Sequence, residues 1–139
     1  MNALFVIVCG SRDWAATDGP LRRQVEADLW AKWERYEFMA VIEGGAKGVD
    51  RIAGRWAARM RSHPERPVGW LRAPADWGRY GDAAGPIRNR EMLDYLLQAQ
   101  TLGYRVGVLA YPAKRSHGTW DMVRQAESAG VPVIVRRRG

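Results

Sequence analysis

A chain of 139 residues with 47% apolar content is long enough for one folded domain and too apolar for a disordered one. No apolar run approaches the roughly 20 residues of a membrane span, and no basic segment precedes the first apolar run as in a signal peptide. The formal net charge of +7 favours anionic partners, and the single cysteine excludes an internal disulfide.

These properties predict one cytoplasmic domain over residues 1–139, with no membrane partner and with a flexible basic tail at 136–139. The two histidines, His63 and His117, are not at metal-ligand spacing, and Cys9 is the only cysteine. We therefore expect no metal site and no cofactor.

Short β-branched runs alternate along the chain with helical periods, and glycine or proline marks each change. The first strand is predicted at 4–8, and a helix opens at Pro20. A second strand at 40–42 is followed by a glycine turn and by the clearest helical period, at 49–60. A third strand is predicted at 68–71.

Residues 73–86 carry little regular signal, and the next helical face begins at Asn89. A strand at 106–110, a helix from Gly118 and a strand at 131–135 complete the chain. Pro132 lacks an amide donor, so the last strand lies at a sheet edge or the proline stands at its start. Five strands separated by four helices predict a single Rossmann-like three-layer α/β domain, with a mainly parallel sheet and helices on both faces.

In such a sheet, ligands bind beyond the carboxyl ends of the strands. The segments that follow the first four strands are rich in glycine, small hydroxyl residues and charge. They contain 10–12, 43–51, 76–77 with 88–91, and 116–119. We therefore expect one ligand site at this edge.

The glycine turn has a direct physical interpretation. Gly44 and Gly45 lack Cβ atoms, so backbone N–H groups can approach an anion, and the following helix directs its positive dipole end to the same place. The predicted phosphate loop comprises Gly44, Gly45, Ala46, Lys47 and Gly48. The alternative is a tight strand–helix turn in which glycine only permits close packing, because the turn matches neither common phosphate-loop motif.

A second glycine–hydroxyl pair, Gly118 and Thr119, opens a later helix and supports the phosphate interpretation. Gly10, Ser11 and Arg12 form a third small turn, in which Ser11 either bonds a ligand oxygen or caps its own turn.

Further candidates carry charge or aromatic rings. Asp50 binds a ribose hydroxyl or stabilises the first turn of its helix. Arg88 and Arg90 flank Asn89 at a predicted helix start, where positive charge is unfavourable, which favours a functional anion contact. Trp77, after Asp76, and Tyr80 in the same loop stack on a base or pack over the rim of the crevice.

Four blocks of the sequence, in order, resemble the YspA/YpsA-related branch of the SLOG superfamily. They are 9–14 (CGSRDW), 43–50 (EGGAKGVD), 75–77 with 85–92 (ADW and GPIRNREM), and 118–119 (GT). The resemblance runs from about residue 4 to residue 135. Members of this branch are common in bacteria and bacteriophages.

The resemblance implies a Rossmann-like fold whose glycine turn and Gly118–Thr119 helix start bind phosphate and ribose. The superfamily includes the LOG phosphoribohydrolases, which cleave the N-glycosidic bond of nucleoside monophosphates, and DprA, which binds single-stranded DNA. The LOG enzymes have Pro-Gly-Gly before their Gly-Thr and paired acids after it. This chain lacks the Pro-Gly-Gly, and only Asp121 remains of the acids, with Met122 next to it.

The main functional prediction is therefore binding of a nucleotide or nucleotide-derived ligand, as a sensor or sequestering module without turnover. One alternative is a nucleotide N-glycosidase in which Arg90, Glu91 and Asp121 are the catalytic candidates. A second alternative, motivated by the net charge and DprA, is single-stranded nucleic-acid binding. By resemblance we also expect a homodimer or a higher homo-oligomer.

Overall fold

The structure is a computed structural model that describes residues 2–12, 19–113 and 115–137. Asp13 and Trp14 of the first sequence block lie outside the described residues, as do residues 138–139 of the basic tail. The described part of the chain contains five strands: β1 (Ala3–Gly10), β2 (Phe38–Glu43), β3 (Gly69–Arg72), β4 (Arg105–Tyr111) and β5 (Val133–Val135). Its α-helices are α1 (Gly19–Arg35), α2 (Val49–Met60), α3 (Trp77–Tyr80), α4 (Ala84–Thr101) and α5 (His117–Ser128).

The five strands form one sheet in the order β3-β2-β1-β4-β5, and every pair is parallel. β1 lies at the centre, where Ile7 is in register with Ile42 on one side and Val108 on the other. The chain builds outward from β1 in one direction and then returns to build outward from β4 in the other. The switch point is therefore between β1 and β4, where open α/β sheets bind their ligands.

Helices cover both faces of the sheet, which confirms the predicted three-layer α/β fold. α1 and α2 pack on one face, and the helical positions predicted to face inward on α2, from Val49 to Met60, are buried there. α4 and α5 pack on the other face through two clusters of apolar side chains, Met92 to Leu96 and Met122 to Ala126. The central strand β1 is buried almost throughout because both of its faces are covered.

The edge strands are short. Val131 and Pro132 precede β5, and the Pro132 carbonyl accepts a hydrogen bond from the Val108 N–H at 2.9 Å. The strand is therefore at the sheet edge and begins after the proline, as the missing amide donor predicts. β3 forms the other edge and lies one residue further along the chain than the predicted strand.

The segment with little regular signal contains more structure than the sequence indicates. α3 and a 3₁₀ turn at Gly81–Ala83 lead directly into α4, which begins at Ala84 rather than near Asn89. Pro86 lies in the first turn of α4, where its missing N–H costs no helical hydrogen bond. Arg88 and Arg90 consequently lie beyond the first turn, where the helix dipole acts weakly, so the dipole argument for an anion contact does not apply to them.

The start of the basic tail is held in place. The Arg136 N–H donates to the Ala110 carbonyl at 2.8 Å, and its guanidinium makes two hydrogen bonds to the Asp28 carboxylate. The Arg137 guanidinium lies over the Trp120 ring, 4.9 Å from its centroid. Both residues therefore contact the folded part of the chain. None of the helices in the described ranges is long and apolar enough to cross a bilayer.

Candidate functional site

A cavity of about 490 Å³ opens at the carboxyl edge of the sheet, at the switch point between β1 and β4. It lies between the turn after β1, the start of α2, the first half of α4 and the start of α5. Residues from all four predicted segments line it together: Gly10, Ser11, Arg12, Ala46, Asp50, Trp77, Arg88, Asn89, Gly118, Thr119 and Asp121. Residues that lie more than 100 positions apart in the sequence, such as Gly10 and Asp121, thus line the same cavity.

Other predicted site residues lie outside the lining of this cavity: Gly44, Gly45, Lys47, Gly48, Asp76, Arg90 and Glu91. Arg90 is exposed and pairs with Asp94 on the next turn of α4, at 3.0 Å. Glu91 and Lys47 are exposed side chains. Asp76 caps α3, where its carboxylate accepts from the Arg79 N–H at 3.1 Å. These four side chains are therefore placed for surface or local structural contacts.

The glycine turn uses its own N–H groups internally. The Gly45 N–H donates to the Glu43 carboxylate, and the Ala46 N–H donates to Asp50 Oδ2 at 3.1 Å. Gly45 has a φ of +73°, which a residue without a Cβ adopts readily. Two carboxylates of the chain thus already occupy donors that the sequence assigns to a phosphate. These two N–H groups are therefore already engaged, and of the five turn residues only Ala46 lines the cavity.

Glu43 anchors the glycine turn through its side chain. Its side chain is fully buried and accepts hydrogen bonds from Trp70 Nε1 at 2.9 Å and from Arg72 Nε at 2.7 Å. Together with the Gly45 N–H, these donors satisfy a carboxylate that would be costly to bury alone. Sequence reasoning did not single out Glu43 as a structural anchor.

Arg88 connects α4 to the glycine turn across the sheet edge. The side chain is buried; Nη1 donates to the Gly44 carbonyl at 2.8 Å and Nε to Asn89 Oδ1 at 3.0 Å. A Cβ on Gly44 would overlap this guanidinium, lying 2.8 Å from its Cζ. Burial lowers the pKa of Arg88, and the nearby Asp50 carboxylate opposes that shift. Gly44 is therefore required for the approach of Arg88.

Asp50 is a buried carboxyl group in the cavity wall, only 5% exposed. Burial raises its pKa from the ordinary value of 3.8 to about 6, although the Ala46 N–H and Arg88 both favour its ionised form. The Glu43 carboxylate adds to the increase. Cys9 lies in the same wall, and burial followed by the Asp50 charge raises the pKa of its thiol, so it remains protonated. Asp50 thus titrates close to neutral pH.

Asn89 joins α4 to the beginning of α5. Its Nδ2 donates to the Gly118 carbonyl at 3.1 Å and to Asp121 Oδ2 at 2.9 Å. Gln125 Nε2 donates to the same Asp121 oxygen at 2.9 Å. Two amide donors therefore hold one oxygen of Asp121 and fix the carboxylate at the cavity wall.

The first turn of α5 presents unused polar groups to the cavity. The Ser116 hydroxyl accepts from the Ala113 N–H at 2.7 Å and makes no capping hydrogen bond to the helix, and the first turn contains no acidic residue. Thr119 is only 5% exposed, and its hydroxyl has no hydrogen-bond partner among the described residues. Nothing lies within 4 Å of a Cβ built on Gly118. The helix start is therefore open on the cavity side.

Three basic residues around this helix also line the cavity, although sequence reasoning did not select them: Arg115, His117 and Arg124. The signal available in the sequence was their closeness to Gly118 and Thr119. Arg115 and His117 flank the helix start, and Arg124 follows Thr119 by five positions. With the positive end of the helix dipole, they make this side of the cavity favourable for an anion.

The rim of the cavity carries an aromatic ring beneath a cation. The Arg12 guanidinium lies over the Trp77 ring, 4.8 Å from its centroid, and both residues line the cavity. Trp77 is 45% exposed and rests beside Gly85, where a Cβ would come within 3.3 Å of the ring.

Within the described ranges, no group of three His, Cys, Asp or Glu side chains is placed to hold a metal ion.

The chain is similar to one protein family, to a phage protein and to a solved structure. Residues 4–80, more than half of the chain, match the model of the YspA, cpYpsA-related SLOG family. The Gene 61 protein of Mycobacterium phage D29 is 37% identical over 133 residues, which cover 93% of each chain. A structural match to ferredoxin-NADP+ reductase from Plasmodium falciparum has a TM-score of 0.44 and 13% identity, and covers 97% of this chain but only about half, 54%, of the reductase. On the family match and the phage relative, this chain belongs to the YspA, cpYpsA-related SLOG family.

Proposed function

We propose that this protein binds a nucleotide or nucleotide-derived ligand in the cavity at the carboxyl edge of its sheet, as a sensor or sequestering module. The observation that carries the proposal is the open start of α5, where Thr119 lies in the cavity wall and its hydroxyl makes no hydrogen bond within the described residues. This hydroxyl can donate to a ligand acceptor without breaking a hydrogen bond inside the described part of the chain. Membership of the SLOG family supports a nucleotide-related ligand.

The phosphate belongs at the α5 side of the cavity rather than at the glycine turn. The Gly45 and Ala46 N–H groups already donate to carboxylates, whereas the first turn of α5 lacks a side-chain cap. Arg115, His117 and Arg124 line the same side. An anion there gains hydrogen bonds from the helix N–H groups and the Thr119 hydroxyl as well as charge attraction.

A ribose hydroxyl fits Asp121, an acidic residue that follows Thr119 by two positions on α5. Asp121 accepts two hydrogen bonds at Oδ2, and no hydrogen bond to Oδ1 is made within the described residues. A carboxylate held in this way is a strong acceptor for a sugar hydroxyl. The fixed position of Asp121 thus gives the ligand an orientation between its phosphate and its ribose.

Turnover as a nucleotide N-glycosidase has less support from the geometry. Of the three catalytic candidates, only Asp121 lines the cavity, because Arg90 pairs with Asp94 on the surface and Glu91 is exposed. Asp50 is another acid in the wall, and burial raises its pKa, but its Oδ2 accepts from the Ala46 N–H. We therefore assign binding rather than hydrolysis.

The test is calorimetric titration of the purified protein with AMP, GMP, CMP, UMP, ADP-ribose and ribose 5-phosphate. We expect saturable binding of at least one of these, weakened about tenfold in Thr119→Val, because one charge-assisted hydrogen bond is lost. Thr101→Val is the matched control, because the Thr101 hydroxyl bonds the Leu97 carbonyl on the outside of α4. Absence of binding by all six compounds overturns the proposal. If chromatography of the titrated samples detects free base, nucleotide N-glycosidase activity would replace ligand binding as the proposed function.

A further inference from the structure

The arrangement of Arg12 and Trp77 indicates which part of the ligand determines specificity. This inference rests on the function proposed above. Trp77 exposes nearly half of its surface at the mouth of the cavity. Its ring is not part of either apolar core cluster. A large aromatic side chain left at the mouth of a cavity offers a flat apolar face to a planar ligand.

We propose that Trp77 is the stacking platform for the heteroaromatic base of the ligand, and that Arg12 occupies the platform until the base replaces it. The guanidinium of Arg12 is itself a planar cation that stacks on aromatic faces. At 4.8 Å from the ring centroid it leaves no room for a base between the two groups. Binding of the base therefore requires that Arg12 moves off the ring.

The displaced arginine has a use in the same cavity. Arg12 lines the cavity together with Arg115, Arg124 and the start of α5. Once it leaves Trp77, its guanidinium is available to the phosphate of the same ligand. The loss of the stacked cation is then offset by a charge-assisted contact, and the base and the phosphate are recognised together.

Trp77 is positioned by the cap of its short helix and by contact with α4. The side chain of Asp76 caps α3, and the ring lies against Gly85 in the first turn of α4. A larger residue at 85 would place its Cβ 3.3 Å from the ring and shift it. The platform is thereby fixed to α4, the helix that also carries Arg88 and Asn89.

The test compares each mononucleotide with ribose 5-phosphate, which has the same phosphate and sugar but no base. In the unaltered protein we expect at least one of AMP, GMP, CMP and UMP to bind at least about five-fold more tightly than ribose 5-phosphate, the low end of one base–aromatic stack. In Trp77→Ala this ratio falls to about one, whereas the affinity for ribose 5-phosphate does not fall, because Arg12 is then free to reach its phosphate. Trp77→Phe retains most of the ratio. Tyr80→Ala, an exposed aromatic on the same helix that does not line the cavity, is the matched control.

A second variant distinguishes two arrangements. In one, the base replaces Arg12 on the Trp77 ring; in the other, the base lies between Arg12 and Trp77. Arg12→Ala removes both the cation that a base must displace and the cation that then contacts the phosphate, and these effects offset each other. We therefore expect the ratio to be retained, while ribose 5-phosphate, which has no base to displace Arg12, binds with unchanged affinity. A ratio that falls in Arg12→Ala would overturn the replacement. Tight, equal binding of ribose 5-phosphate and every nucleotide overturns the base platform but leaves the proposed function intact, as does a ratio that survives Trp77→Ala. Failure of these five compounds and of ADP-ribose to bind would remove both.

Discussion

Arg88 on α4 donates a hydrogen bond of 2.8 Å to the carbonyl oxygen of Gly44, a residue 44 positions earlier in the chain. The bond joins a helix on one face of the sheet to the turn that precedes a helix on the other face. It depends on the absence of a Cβ at Gly44, because such an atom would overlap the guanidinium. Two residues that sequence reasoning assigned separately to a ligand thus hold each other in place.

This relationship predicts strong coupling between the two positions. Arg88→Met leaves the Gly44 carbonyl and Asp50 without their cation and should lower the free energy of unfolding by about 3 kcal/mol. Gly44→Ala displaces the guanidinium and should cost about 2 kcal/mol. In the double variant the two costs should fall short of additivity by at least about 1 kcal/mol in urea denaturation, because the Met side chain is flexible and makes no hydrogen bond to lose.

Gly118→Ala is the control for that measurement. Nothing lies within 4 Å of its Cβ, and it is in a helix, where alanine is favoured over glycine by up to about 1 kcal/mol. Its stability should remain unchanged or rise. Full additivity of the Gly44 and Arg88 substitutions would show that the hydrogen bond does not link them.

Asp50 predicts a pH dependence of stability. Its pKa is raised in the folded state, so the folded protein binds more protons than the unfolded one between pH 3.8 and about 6. The free energy of unfolding contributed by this group therefore decreases as pH rises through that range and is constant above it. The increase in pKa corresponds to about 3 kcal/mol as an upper bound.

The measurement is urea denaturation of the unaltered protein and Asp50→Asn from pH 4 to pH 7.5. Asparagine keeps an acceptor for the Ala46 N–H but does not titrate. The stability of Asp50→Asn relative to the unaltered protein should therefore increase with pH up to about pH 6 and then level off. Parallel curves over the whole range would contradict a raised pKa at Asp50.

Asp28 predicts a further coupled set of substitutions, far from the glycine turn. Its nearly buried carboxylate accepts from the Tyr111 hydroxyl at 2.6 Å, from Gln24 and twice from Arg136. Tyr111→Phe should lower the free energy of unfolding by about 1.5 kcal/mol, the cost of one hydrogen bond to a charged acceptor. Arg136→Ala should cost about 1 kcal/mol, because its side chain is half exposed and solvent screens the pair.

Thermal and urea denaturation of both single variants and the double variant measure this coupling. Arg137→Ala is the control, since Arg137 lies over the Trp120 ring and makes no ion pair within the described residues; it should change stability by less than about 0.5 kcal/mol. A cost for Arg137→Ala equal to that for Arg136→Ala would show that tail charge, rather than the Asp28 pair, is responsible.

Thr119 predicts a separation of binding from stability. Thr119→Val keeps the shape of the side chain and removes a hydroxyl that has no partner in the described part of the chain. The free energy of unfolding should remain nearly the same, because the substitution keeps the packing of the side chain and breaks no hydrogen bond within the described residues. Loss of stability by more than about 1 kcal/mol in urea would mean that the hydroxyl already has a structural partner.

The sequence determines much of the layout of this protein. Glycine and proline mark the ends of apolar runs such as 4–8, and the helical period from Val49 to Met60 has its inward residues buried as predicted. The order of strands and helices then restricts the sheet to right-handed parallel crossovers. Because carboxyl ends of parallel strands meet at one edge, the turns at Gly10, Ala46 and Gly118 were expected together, and all three line one cavity.

Helix boundaries were less accessible to sequence reasoning. Gly85 and Pro86 are typical of a loop, but in the first turn of a helix neither residue breaks a required hydrogen bond. The sequence therefore placed Arg88 and Asn89 at a helix start, whereas they lie on the second turn of α4 and point toward the turn at Gly44 and the start of α5.

Only the tertiary structure decided which groups of the site remain available to a ligand. Glycine at 44 and 45 permits both a phosphate cradle and a packed turn, and the choice depends on Glu43, Asp50 and Arg88, which reach the turn from different elements. Hydrogen bonds of this kind depend on distances between side chains that no local pattern encodes. The sequence by itself determined the edge of the sheet at which the cavity forms. Because Glu43 and Asp50 bind N–H groups of the glycine turn, the polar groups without an internal partner are at the start of α5.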